Sequence, residues 1–360
     1  MKKWVTTISL VALGSLLGSV CFAAMDDIRA KMIEKAKKEG AFVVAGSNAA
    51  EFRDRLKGFH KKYPWLEIKA FDANTSATIN RVVTEAKAGK LTIDMVGVDE
   101  SGTESLAQRG LLQKFDYPYL KDMLADTQPK HGQYVDAFMN PRVQGIYNTD
   151  LVAPKDVPKT WDDMTSAKFK GLALLSRSSE EFPSRLAWLW GSKDKLNWEK
   201  SFDFFTKMVK NQKPAIGRGY AGGTQRVAAG EVGIFWFPAV GTYTKLKRKG
   251  APVAMIAFPK FPMTFRSFAI MKDAPHPAGA WLLIDYLMSP EGQFEYTNVV
   301  SGKALVNKNA KPGKLAKVLV EGGATDKNAA LVDPATAAKI YTPEVLKKSE
   351  DFYFRLLGIK

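Results

Sequence analysis

DAFMNPRVQGIYNTDLV, residues Asp136–Val152, is the stretch whose reading decides the architecture. Phe138, Met139, Val143 and Ile146 give it strand character, interrupted once by Pro141. Proline cannot donate to a sheet ladder, so Pro141 belongs at a strand start, an edge or a bulge. Asn148-Thr149-Asp150 then supplies turn chemistry and a helix-start signal. One run of β/α alternation precedes the stretch and a second follows it. Ala257–Ile270 has the same character, with Pro259 and Pro262 among apolar β residues. Two such passages fit two lobes joined by two strands, the second lobe inserted in the first. They fit equally well two edge strands of one larger sheet, and local sequence does not choose between these.

The bulk of the chain allows two cores: 360 residues, 46% hydrophobic and 25% charged. The net charge is +16, and only Lys2 and Lys3 contribute to it within the first 23 residues, leaving +14 beyond them. A field of that sign favours anionic partners. Nucleic acid is not expected, because Lys and Arg are spread along the chain. The densest run, Lys245–Lys249, reads as a solvated helix face.

The first 23 residues read as a secretory signal peptide. They combine a basic Met1-Lys2-Lys3, an apolar Ile8–Val20 and small residues before a cleavage point after Ala23. No later stretch approaches the roughly 18 apolar residues of a membrane span. The only cysteine, Cys21, lies in that leader. The exported chain is thus expected to have no disulfide, thiolate metal site or Cys nucleophile, which suits a bacterial periplasm.

Working outward from the crossing, three strand–turn–helix units are expected before it. Ala41–Ala45 leads into Gly46-Ser47-Asn48, Trp65–Phe71 into a polar turn with Thr75 and Ser76, and Ile93–Val98 into Asp99-Glu100-Ser101-Gly102-Thr103. If these strands are parallel, their hydroxyl-bearing turns gather along one edge, where ligands sit in open α/β sheets. Helix capping by Ser47 or Asn48 is compatible with that role.

After the crossing, Phe169–Leu175 is expected as a strand ending in Ser176-Arg177-Ser178-Ser179. Three hydroxyls and an Arg before a helix form either an anion cradle or an over-furnished N-cap. The adjoining Glu180 and Glu181 suit the helix dipole and leave room for a ligand with an ammonium group. Gly217-Arg218-Gly219-Tyr220-Ala221-Gly222-Gly223-Thr224 contains G-x-G-x-x-G, a poor dinucleotide fingerprint in mid-chain. It reads better as a Gly-rich helix entry with Thr224 as cap, Gly223 giving close backbone approach, and Arg218 and Tyr220 flanking a ligand. Trp236 and Phe237, at the end of the next strand, are expected as an aromatic wall.

These pieces resemble a known family. VVAGSN, TIDMVGV, RVQGIYNTDLV with PKTWDDMTSAKFKG, QRVAAGEV, KRKGAPV and DAPHPAGAWLLIDYLMSPEGQ are similar to the periplasmic solute-binding proteins of ABC importers. The branch includes ferric-iron, polyamine, thiamine and aminoethylphosphonate binders. The resemblance covers most of residues 41–310. It implies an α/β, two-lobed type II periplasmic binding protein fold with two hinge-crossing strands. The expected division is lobe 1 over 24–139 and 265–310, lobe 2 over 140–264, and a helical segment over 311–360 with no lobe assigned. It further implies a monomer that works with an inner-membrane ABC permease and carries no cofactor.

Iron-binding members carry an adjacent tyrosine pair where this chain has Val240 and Gly241. Tyr243 alone does not replace two hard phenolates, so the expected ligand is a small organic anion: a carboxylate, phosphonate or sugar phosphate. Ferric iron or a polyamine is the alternative within the fold. A periplasmic enzyme or a ligand-sensing module is the alternative outside it. Ser192-Lys193-Asp194-Lys195 matches S-x-x-K without its companion motifs, and neither G-x-S-x-G nor H-E-x-x-H occurs, so catalysis is not expected.

Overall fold

The computed structural model describes residues 27–124, 127–128, 131–192 and 195–359. The expected leader, and part of the S-x-x-K loop, lie outside them. Helix α1 (27–39) is followed by β1 (Ala41–Gly46), α2 (Ala49–Arg55), α3 (Lys57–Lys62), β2 (Glu67–Asp72), α4 (Thr75–Lys87), β3 (Met95–Asp99) and α5 (Glu100–Gln108). Strand β1 pairs in parallel with both β2 and β3, so the three turns do share one sheet edge. The stretch after β1 forms two helices, broken at Leu56, where the backbone leaves the helical region. Helix α5 already starts at Glu100, which places Ser101 and Thr103 in the helix rather than in the expected turn.

The crossing is resolved by β4 (Val135–Pro141) and β5 (Gly145–Asn148), which belong to different sheets. Then come β6 (Ala173–Ser176), α6 (Phe182–Leu189), α7 (Trp198–Gln212), β7 (Ala215–Gly217), α8 (Tyr220–Ala228), β8 (Ile234–Trp236), α9 (Val240–Arg248) and β9 (Val253–Ile256). These helices flank the second sheet, of order β7-β6-β8-β5-β9. The chain crosses back into β10 (Phe261–Ile270), which is buried along its whole length. Strand β10 lies antiparallel between β3 and β4. The reading as edge strands of one sheet is therefore replaced by two sheets and two crossings.

Helix α10 (Pro277–Met288) is apolar on every side but for Asp285, which pairs with Arg29 at 2.8 Å, and is buried from Ala278 onward. Such a helix has to be enclosed, and it is central to the core of the first sheet. Trp281 stacks on Tyr117 at 5.6 Å, and its indole N–H donates to the Asp116 carbonyl. Glu39 caps the helix by accepting from the amides of Ala278 and Gly279 at 3.0 and 2.7 Å. Burying an aromatic side chain of this size contributes about 1.5–3 kcal/mol.

The remainder is α11 (Pro290–Glu295), β11 (Ala304–Leu305), α12 (Lys314–Glu321), β12 (Ala329–Leu331), α13 (Pro334–Ile340) and α14 (Pro343–Leu356). The segment without an assigned lobe touches both halves. Strand β12 pairs with β10 of the first sheet, α12 packs on α9, α13 packs on both α5 and α6, and Tyr353 of α14 enters the core under α6 and α7. Among the described residues no helix is long and apolar enough to cross a membrane.

Gly46 ends β1 with φ +134°, and a Cβ there would sit 1.9 Å from the Gly97 carbonyl oxygen. Gly46→Ala is expected to cost at least about 2 kcal/mol in urea denaturation, because β1 and β3 cannot both keep their places. An unchanged midpoint would contradict this.

Candidate functional site

A cavity of about 380 Å3 opens where the edges of the two sheets face one another. From the first sheet it takes Ser47 and Asn48 after β1, Asp72–Ser76 between β2 and α4, and Asp99 at the end of β3. From the second it takes Ser178, Glu180 and Glu181 after β6, the start of α8 at Gly219–Gly222, and the start of α9. Asn140, Arg142 and Arg266 come from the crossings themselves, and Ser301 and Lys303 from the turn before β11.

The floor holds three cations around one carboxylate. Arg142, Arg266 and Lys303 are only 2, 3 and 7% exposed. Arg142 Nη2 pairs with Asp99 Oδ2 at 2.5 Å, its Nε donates to Thr264 at 3.3 Å, and its guanidinium lies 5.8 Å from the Tyr220 ring centre. Asn140 donates to the other Asp99 oxygen at 3.0 Å and accepts from the Lys303 amine. Arg266 Nη2 donates to the Ser47 carbonyl at 2.5 Å, while its buried Nε finds no acceptor.

The charges feel one another. Burial alone would raise the Asp99 carboxyl, but Arg142, Lys303 and Arg266 outweigh it and hold the group well below the usual carboxylate range. Burial pushes the Lys303 amine down to about 7; Asp99 opposes this shift, and Arg142 and Arg266 reinforce it. Buried cations in excess over carboxylates are costly unless something neutralises them.

Contacts cross the cavity between elements of the two sheets. Lys245 of α9 pairs with Glu51 of α2, Ser76 donates to Glu180 at 3.4 Å, and Ser101 donates to Glu181 at 2.8 Å. Glu181 also pairs with the buried Arg185, whose Nε donates to Tyr341 of the C-terminal segment at 3.3 Å.

Of the residues singled out from sequence, Ser47, Asn48, Thr75, Ser76, Ser178 and Tyr220 line this cavity. Asn48 sits at the N-cap of α2 without a side-chain capping bond, and Thr75 accepts from the Asp99 amide at 3.3 Å. Tyr220 opens α8 and donates its hydroxyl to the Ser178 carbonyl.

The others are placed off the wall. Ser101 stands behind it, on Glu181. Ser176 caps the turn by accepting from the Ser178 amide, and Ser179 is buried. Arg177 is exposed beside Phe354, and Arg218 is exposed, its carbonyl accepting from the Ser178 hydroxyl. Thr224 is inside α8 bonded to the Tyr220 carbonyl rather than capping it, and Gly223 abuts Phe235. Trp236 and Phe237 are core: the indole donates to Gln212 at 2.8 Å, and Phe237 packs between Phe182 and Phe205.

The residues missed were Asp99, Asn140, Arg142, Arg266 and Lys303. For Arg142 and Arg266 the signal was a charge inside an otherwise apolar crossing or strand, as in FMNPRV and MTFRSF; Asp99 and Lys303 stand in polar turns and Asn140 is uncharged. Tyr243, weighed as a lone iron ligand, is buried in the core of the second sheet, not in the cavity wall. Among the described residues no group of three or more His, Cys, Asp or Glu side chains could hold a metal.

No curated protein sequence matches the chain significantly. Solved structures do share its fold. AfuA of Actinobacillus pleuropneumoniae, a periplasmic binding protein with fructose-6-phosphate bound, superposes with a TM-score of 0.73 at 19% identity, covering 89% of this chain and 99% of that one. Iron-bound HitA of Pseudomonas aeruginosa gives 0.71 at 18%, covering 88% and 99%. The substrate-binding protein of an ABC transporter from Agrobacterium tumefaciens gives 0.73 at 17%, covering 88% and 94%. The fold is the two-lobed type II periplasmic binding protein fold, with β4–β5 and β9–β10 as the strands that cross its hinge. The profile of bacterial extracellular solute-binding proteins matches residues 54–321, most of the chain, and with the cavity between its lobes this protein is a member of that solute-binding, non-catalytic family.

Proposed function

We propose that this chain is the periplasmic substrate-binding component of an ABC importer. It captures a small organic anion (a carboxylate, phosphonate or sugar phosphate) by closing its lobes and delivers it to an inner-membrane permease. In this reading lobe 1 comprises residues 24–139 and 265–310, and lobe 2 residues 140–264. The observation that carries the ligand class is the buried floor, with three cations for one carboxylate. A phosphoryl or carboxylate group supplies the missing charge and hydrogen-bond acceptors, and Arg can grip such groups bidentately.

The bound sugar phosphate in AfuA is consistent with this chemistry. The iron in HitA belongs to a structure of nearly the same fold similarity, but the donor set among the described residues here offers an oxyanion more than a metal. Binding to both walls favours the closed arrangement. A preference of a few kcal/mol is enough to shift the population.

A thermal-shift series of sugar phosphates, phosphonates, carboxylates and ferric salts tests the ligand class. An organic anion is expected to raise the midpoint by about 5 °C or more at saturating concentration. A rise with ferric salts alone would overturn it.

Lys303→Met keeps the side-chain volume and removes one cation. It is expected to weaken anion binding by at least about tenfold in titration calorimetry, with the fold intact by circular dichroism. Unchanged affinity would place the anion elsewhere.

The low-lying Lys303 amine gives a pH signature. Below about 7 it is already charged in the empty protein; above about 7 it is largely neutral, and a bound anion recharges it. Binding at pH 8 should therefore take up a proton and weaken as pH rises, read from calorimetry in buffers of different ionisation enthalpy. The uptake should fall by most of its size in Lys303→Met, the raised Glu180 carboxyl being the other cavity group able to take a proton at pH 8.

A further inference from the structure

The cavity has a second, acidic lining. Glu180 and Glu181 stand on the lobe 2 side, and Asp72 on the lobe 1 rim, where it accepts from the Asn48 amide at 3.2 Å. Glu181 is spent on Ser101 and Arg185. Glu180 is not: one oxygen has the Ser76 hydroxyl at 3.4 Å, the other is buried without a partner, and no ion pair reaches it among the described residues. Burial, and then the neighbouring Glu181 and Glu350, push its carboxyl up to about 7. The floor cations are directed elsewhere, to Asp99, Asn140 and the Ser47 carbonyl. The Tyr220 ring lies against Arg142, and its hydroxyl is anchored on Ser178 two residues before Glu180.

The cavity is therefore bipolar. A group with net negative charge is favoured over Arg142, Arg266 and Lys303 and opposed at Glu180. An ionised carboxylate only accepts hydrogen bonds, and it repels a second anion brought into the same low-dielectric space. Discrimination then comes from an unfavourable contact as well as a favourable one.

We propose that the solute has a single anionic head and a tail bearing hydrogen-bond donors, hydroxyl or amine, and that Glu180 is the residue that selects this tail and excludes a second anionic group. The inference rests on the anion reading of the floor. Both donor chemistries satisfy a carboxylate, and an ammonium tail would also hold Glu180 ionised.

Four probes with the same head and similar length separate the cases: ethyl, hydroxyethyl, aminoethyl and carboxymethyl phosphate, titrated calorimetrically into the whole exported chain at pH 8.5, where Glu180 is ionised. The hydroxyethyl or the aminoethyl ester is expected to bind at least about tenfold tighter than the ethyl ester, and the carboxymethyl ester at least about tenfold weaker than the better donor ester. The ratio of amine to hydroxyl assigns the tail. Carboxymethyl phosphate binding as tightly as the donor esters overturns the proposal while leaving the anionic head in place. Binding of none of the four, ethyl phosphate included, overturns the anion reading as well. In Glu180→Gln, folded by circular dichroism, the carboxymethyl penalty should shrink at least about threefold; an unchanged penalty removes Glu180 as the selecting residue.

Discussion

Arg142 on Asp99 is the contact through which the two halves of this molecule share a site. Asp99 closes β3 of the first sheet, and Arg142 is the first residue beyond β4 on the way to the second. Arg266 arrives from β10 and Lys303 from the turn before β11, so four separate chain segments place charge in one small volume. Three buried cations repel, and a single carboxylate offsets only part of that. The protein relieves the rest by letting one amine lose its proton readily and by holding Asn140 between Asp99 and Lys303. What remains at the floor is more positive charge than Asp99 offsets, while Glu180, Glu181 and Asp72 stand on the cavity's other walls. Such a site is destabilising when empty and gains from the solute it is proposed to hold.

The same edges supply the contacts that bring the lobes together. Lys245–Glu51, Ser76–Glu180 and Ser101–Glu181 all bridge the cleft. Lys245–Glu51 is a partly exposed ion pair worth at most about 1 kcal/mol, while the two hydrogen bonds involve the buried Ser101 and the largely buried Glu180. The C-terminal segment adds a restraint of a different sort, since α13 rests on α5 and α6 at once while β12 extends the first sheet.

The strand–turn–helix units were legible because their signals are local, whereas the two proline-marked passages fitted one sheet as well as two, and only the family resemblance favoured the two crossings that the structure has between its mixed sheets. The rim was legible for the same reason: Ser47, Asn48, Thr75 and Ser76 follow directly from where β1 and β2 stop. The floor was not, because its members are far apart in sequence and each sits in a run that reads as hinge, strand or polar turn. Exposed loop arginines were weighed instead. Arg177 and Arg218 sit where a turn meets solvent, and nothing in the turn pulls them inward. Trp236 and Phe237 misled for a related reason: an aromatic pair at a strand end can face a cleft or a core, and here the helices α6 and α7 provide a core.

The position of Arg142 also bears on how occupancy could move the lobes. Its backbone amide donates to the Pro262 carbonyl at 2.8 Å, and its side chain reaches Thr264, so it ties the first crossing to the strand that forms the second. The residue proposed to meet the solute's charge is thus part of the hinge. No relay between a distant site and the moving element is required: a shift of the guanidinium toward an anion acts on both crossings at once. Pro141 contributes by ending β4 where the chain must leave the sheet, and Gln144 and Phe258 join the two crossings again by a 3.0 Å hydrogen bond. Charge recognition and hinge geometry are held in the same few residues, and a substitution that altered one while sparing the other would have to fall outside this cluster.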